Sequence, residues 1–258
     1  MSKRKFSWKS GWVAIILLVI VAAAYFLITR PGLELGTLSS FMPATIAQPV
    51  GDLPNMPDKP QPKQITFNDC PPQGSGGDIE LNLLKNRIDS GNYVPVSFDT
   101  LTTLTWPKNV ERLNTQDWSP EGRAFIAQYA GIPIVVEGYF GSVKEDAPNA
   151  ANCNRDNSTN KDWSIFLTRN ARDDLSQSII VSVTPRIRAS HNKWTLDLLR
   201  STVINDHLLM RVSGWLFFNP EHPGGVGITR ATLWEIHPAI QIEVFTNGKW
   251  ITLDKFAD

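Results

Sequence analysis

The chain has 258 residues, 42% of them hydrophobic and 19% charged, with 25 basic and 25 acidic side chains. Zero net charge excludes, for the chain as a whole, the strongly basic surface of sequence-independent nucleic-acid binding, and leaves room only for a local basic patch. Setting aside Lys3, Arg4, Lys5 and Lys9 leaves 21 basic against 25 acidic groups, or −4, for the rest.

Those four basic residues form a short tail, 1–10, ahead of an uncharged apolar run at 11–28 that Arg30 and Pro31 end. Eighteen helical residues reach roughly 27 Å, close to the thickness of a bilayer core. A cleavable signal peptide has a shorter apolar region, so residues 11–29 are expected to stay as a transmembrane helix, with the lipid bilayer as their partner. The basic tail orients that helix with its N-terminus in the cytoplasm and the rest of the chain outside, periplasmic or extracellular.

Residues 30–77 read as a tether. Nine of the 18 prolines lie between Pro31 and Pro72, and Gly74, Ser75, Gly76 and Gly77 close the stretch. Proline removes backbone donors and favours an extended spacer. Residues 78–131 read as a helical lead-in. Asp78 caps a first helix with Ile79, Leu83, Leu84 and Ile88 on one face, and Ser119 with Pro120 starts a second that runs to Gly131. Residues 92–107 fit either a short helix or irregular structure.

From residue 132 the pattern turns to β. Strands are expected at 132–144, 163–168, 179–184, 208–218 and 233–245, with a helix at 194–203 between the third and fourth. Asn247-Gly248 predicts a tight hairpin returning through 249–253. Gly138 and Gly214 fall inside long strands, where a small barrel must bend. This order resembles the OB-fold, five strands in a barrel with a helix between the third and fourth. The resemblance covers residues 132–245 and implies a mainly β barrel within a domain over 132–258, with the two leading helices packed against it or plugging one end.

Two cysteines, Cys70 and Cys153, are too few for a thiolate metal site. They can form one disulfide in an oxidising compartment, or stand as two free thiols; the pair is the expectation. The chain has no phosphate-loop, dinucleotide, zincin or hydrolase-elbow motif, and no cofactor is expected.

Histidine carries the sharpest lead. Glu221-His222-Pro and Glu235-Ile-His237-Pro each put a carboxylate beside an imidazole. Residues two apart on a strand share a face, so Glu235 and His237 project together. Such pairs can serve as base and orienter, and His222 and His237 are weak metal candidates lacking a third clustered ligand. The expectation is the bland one, a surface His–Glu pair or a histidine bonded in the core, with His237 a structural residue bonded to backbone. A second lead is the basic run Arg186, Arg188, His191 and Lys193, whose forks match anionic oxygens, with Tyr139, Phe140, Trp163 and Phe166 as stacking platforms. Its alternative is a solvated loop beside core aromatics.

The expected function is that of a membrane-anchored extracytoplasmic binding or scaffold module for an envelope protein, a glycan or a nucleic acid, the last without strong support. The second reading is a hydrolase, metal-dependent or not, acting on a phosphoester or similar bond through Glu221, His222, Glu235 and His237. A structural part of a larger membrane assembly is the third.

Overall fold

The computed structural model describes residues 53–54 and 56–257. The predicted membrane helix lies outside them; among the described residues no helix is long and apolar enough to cross a membrane. In chain order the regular elements are helix α1 (Ile79–Lys85), strand β1 (Val94–Pro95), α2 (Phe98–Thr103), α3 (Pro120–Tyr129), β2 (Pro133–Glu145), β3 (Trp163–Thr168) and β4 (Ile179–Val183). They continue with α4 (Pro185–Arg188), α5 (Leu196–Leu198) running into a π-turn (Leu199–Ile204), β5 (Leu209–Phe218), β6 (Trp234–Thr246), β7 (Lys249–Thr252) and α6 (Leu253–Phe256).

Local chemistry explains the starts and stops. Asp78 caps α1 by accepting from Leu81 N at 3.0 Å, and its other oxygen accepts from Thr115 N and Oγ1. Ser119 caps α3 through Gly122 N, with Pro120 in the first turn. Each cap satisfies an amide that the helix cannot pair internally. Ser97 does the same for α2, so residues 92–107 hold a two-residue strand and a short helix. The helix predicted at 194–203 starts at Leu196, where Thr195 caps it by accepting from Leu198 N, and continues as a π-helix over Leu199–Ile204.

The strands pair in the order β2-β3-β4-β6-β5, and β5 returns to β2. The result is a closed five-stranded mixed barrel, antiparallel except for β4 beside β6, consistent with the OB-like expectation. Strand β2 pairs with β5 over 133–139 and with β3 from Tyr139 onward, so it turns the barrel corner at Gly138. A Cβ there would come within 2.6 Å of Thr168 O, and one on Gly214 within 2.4 Å of Pro238 O, so both corners demand close backbone approach. Asn247 and Gly248 take positive φ and close the β6–β7 hairpin.

The barrel interior is filled by alternate residues, among them Ile134, Val136, Ile165, Val181, Val212 and Ile242. Five of the seven tryptophans from Trp106 onward are buried.

The distal part of the proline-rich segment lies on the domain instead of standing free. Asn82 donates to Gln73 O and Gly76 O, Asn86 donates to Pro72 O, and Ile88 N donates to Lys63 O. Cys70 and Cys153 form the expected disulfide, with Cα atoms 5.8 Å apart, and it joins this segment to the β2–β3 loop.

Candidate functional site

Strands β3 and β4 and the first six residues of β6 bury both faces. Ile165, Leu167, Ile179, Val181 and Ile236 point into the barrel core. The residues between them, Ser164, Phe166, Ile180, Ser182, Glu235 and His237, line a cavity of about 630 Å³ on the outer face. Two loops wall it, 146–162 between β2 and β3 and 219–233 between β5 and β6. The first loop contributes Asp146, Asn149 and Asp162, the second Asn219, Glu221, His222 and Arg230, and α1 contributes Lys85.

All four histidine and carboxylate candidates therefore line one cavity: Glu221 and His222 at the exposed rim, Glu235 and His237 at its buried floor. Register explains the floor. Phe166 pairs with Ile180 and Ile180 with Glu235, forming one row across three strands. Ser164 pairs with Ser182, and on β6 His237 follows Ile236, the partner of Val181; Ser164, Ser182 and His237 all line the cavity. Ser164 Oγ donates to Asp146 Oδ2 at 2.6 Å and extends this second, polar row to the end of β2.

Glu235 is 1% exposed. Its Oε1 accepts from Asn219 Nδ2 at 2.9 Å and from Arg230, itself buried. Burial alone would push this carboxyl up, but the Arg230 guanidinium, with His237 alongside, more than reverses that and holds it at about 2. Its Oε2 stands 3.5 Å from His237 Nδ1, too long for a hydrogen bond. Among the described residues neither that oxygen nor either ring nitrogen of His237 has a hydrogen-bond partner. His237 is thus not bonded to backbone, contrary to the bland expectation, and its ring rests tilted 5.2 Å from that of Phe217.

The walls are rigidly tied. Asn149 and Asn152 each donate to one oxygen of Asp162, and Lys85 Nζ meets Glu221 Oε1 at 2.8 Å. Burial pushes the Asp146 carboxyl up, against the downward pull of the Ser164 hydroxyl and Lys144.

The basic run is a correction. Arg186 and Arg188 sit on α4, where residues two apart do not share a face. Arg186 is 2% exposed and donates to Asn86 Oδ1 at 2.8 Å, Asn152 Oδ1 at 3.0 Å and the carbonyl of Cys70 at 3.1 Å. Burial lowers it to about 10, so it stays charged at neutral pH. Arg188 donates to the carbonyls of Ser158 and Lys161 and covers the buried Trp163 ring at 4.2 Å. His191 Nδ1 lies 2.8 Å from Asp254 Oδ2, and its ring stacks on Trp194. None of these, nor Tyr139, lines the cavity.

Sequence reading missed Lys85, Asp146, Asp162, Ser164, Ser182, Asn219 and Arg230. None of these left a local signal of sharing one cavity: Ser164 shares its strand with a second hydroxyl, Thr168, and Ser182 stands in an apolar run. Among the described residues no three His, Cys, Asp or Glu side chains are grouped to hold a metal ion. Comparison of the chain with protein-family models, curated proteins and solved structures finds no match.

Proposed function

We propose that the protein is a membrane-anchored binding module that displays this cavity outside the cytoplasm. The observation that carries the reading is the unpartnered floor: Glu235 and His237 line a cavity sized for a small ligand, and among the described residues one Glu235 oxygen and both His237 nitrogens are buried without the partners that buried polar atoms normally have. The cavity also lies on the second and third barrel strands between two loops, where OB-like barrels bind ligands, which is a fold-level analogy. The basic tail and apolar run at 1–29 support the anchor and its orientation. The disulfide supports an oxidising compartment. Four lining carboxylates against Lys85, Lys144 and Arg230 oppose a polyanionic ligand such as nucleic acid.

A pull-down from solubilised envelope with full-length wild type and with His237→Ala, paired with metal analysis, tests the reading. A component retained by wild type and lost from the variant supports it. Equal retention by both places the partner elsewhere on the protein.

One observation favours hydrolysis as the second reading. Asp146 and Glu235 line one cavity with their carboxyls pushed in opposite directions, the arrangement that separates a general acid from a base or stabiliser. His237 would take the proton from water with Glu235 orienting it, and Asp146 would protonate the leaving oxygen. Turnover of a chromogenic phosphodiester or glycoside, lost in Asp146→Asn, would establish it; no turnover of either excludes those bonds.

A further inference from the structure

We infer that the cavity seats a short stretch of neutral, hydroxyl-rich glycan lying across β3, β4 and β6, an inference that rests on the binding-module reading. Four features point to this ligand. The first is the shape of the floor. Ser164 and Ser182 are small and lie side by side, so they form the bottom of a trough that His237 closes at one end and Asp146 at the other. At about 4.8 Å between neighbouring strands, Ser164 to His237 spans roughly 10 Å, the length of about two linked sugar rings.

The second is hydrogen-bonding character. The trough is lined by Ser164, Ser182, Glu235 and His237, and among the described residues both imidazole nitrogens and one carboxylate oxygen are buried without a hydrogen-bond partner. Sugar hydroxyls donate and accept at the same atom, and so can satisfy both kinds of group. The third is charge. Lys85 pairs with Glu221, Arg230 with Glu235 and Lys144 with Asp146 at 3.5 Å, while two asparagine amides hold Asp162. An uncharged ligand leaves those pairs intact and needs no charged partner from the lining.

The fourth is the apolar flank. Phe166 and Ile180 form the row beside the serines, and Phe166 gives an aromatic face for the C–H side of a sugar ring. A peptide is the weaker fit. The barrel closes through the β2–β5 pairing, so the trough crosses paired strands and offers no sheet edge for strand addition.

The test titrates full-length protein in detergent micelles with neutral tetrasaccharides of hexose and of N-acetylhexosamine, and separately with a mixed-sequence peptide pool. Ser182→Val fills the middle of the trough, and Phe166→Leu keeps the apolar bulk while removing the ring. Saccharide binding that weakens about tenfold or more in whichever variants keep the wild-type melt supports the inference. Saccharide binding unchanged in both, or none detected, overturns it. Peptide binding that Ser182→Val weakens also overturns it but leaves the binding-module reading standing. Loss of that reading shows instead as the envelope pull-down that His237→Ala does not change.

Discussion

Glu235 and His237 stand two residues apart on β6 with Oε2 and Nδ1 separated by 3.5 Å, and neither atom has a hydrogen-bond partner among the described residues. The other carboxylate oxygen is held by Arg230 and Asn219. One half of the same side chain is therefore anchored, and the other half is buried without a hydrogen-bond partner among the described residues. The two halves predict different mutational outcomes. His237→Ala removes no hydrogen bond and should lower stability by only about 1 kcal/mol, while removing binding. Arg230→Met strands a buried carboxylate and should cost about 3–5 kcal/mol. Chemical denaturation of both variants checks this, and a His237→Ala loss as large as that of Arg230→Met would show that the imidazole is structural after all.

The low pKa of Glu235 makes stability depend on acid. Its carboxyl sits at about 2 in the folded protein against a reference of 4.5. A depressed acid contributes stability that is fully present above the reference pKa and is lost as pH falls through the folded value. The window is thus pH 4.5 down to 2, with a magnitude of roughly 3 kcal/mol. Urea melts at pH 7, 4 and 2.5 should show Glu235→Gln losing less stability than wild type across that window. Parallel slopes would remove Glu235 as the cause.

The disulfide closes a loop with a sequence separation of 83. Loop-closure entropy assigns it about 4.5 kcal/mol. Cys70→Ser with Cys153→Ser should therefore lower the melting temperature sharply and free the 63–77 segment for proteolysis. Mass measured without reductant should show the bond in wild type, and two free thiols would contradict the structure.

Arg186 separates a ligand-binding arginine from a structural one. Its guanidinium ties Asn86, Asn152 and the Cys70 carbonyl together. Arg186→Ala leaves those acceptors buried and should destabilise the domain by about 3 kcal/mol or more. A stable Arg186→Ala protein that lost only anion binding would restore the anion-binding expectation.

The proposed orientation rests on the charge of the N-terminal tail alone. A reporter fused after Asp258 should be active only outside the cytoplasm. A cytoplasmic signal would invert the topology and remove the oxidising compartment in which the disulfide is expected to persist.

Element positions were legible from local chemistry. Ser119-Pro120 marked α3, Asn247-Gly248 the last hairpin, and the alternating or continuous apolar runs all five barrel strands, because caps, turns and hydrophobic period act over a few neighbours. The Glu235–His237 pair was legible for the same reason, since a strand repeats every two residues. The fate of Arg186 was not. Nothing near it in sequence shows that Cys70, Asn86 and Asn152 will surround it, so a buried tie read as an exposed fork.

The sequence by itself determined where the barrel strands fall along the chain and the common face of Glu235 and His237, and left Cys70 and Cys153 as either a bonded pair or two free thiols. Only the tertiary structure decided which groups share the cavity. Strands β3 and β4 are apolar runs in which Ser164 and Ser182 carry no local signal of pointing outward together. Their meeting with Asp146 and His237 depends on the parallel β4–β6 register and on two loops tied down by Asp162 and Arg230. Register is set by barrel closure, which sums pairings across the whole domain, so no short stretch of sequence contains it.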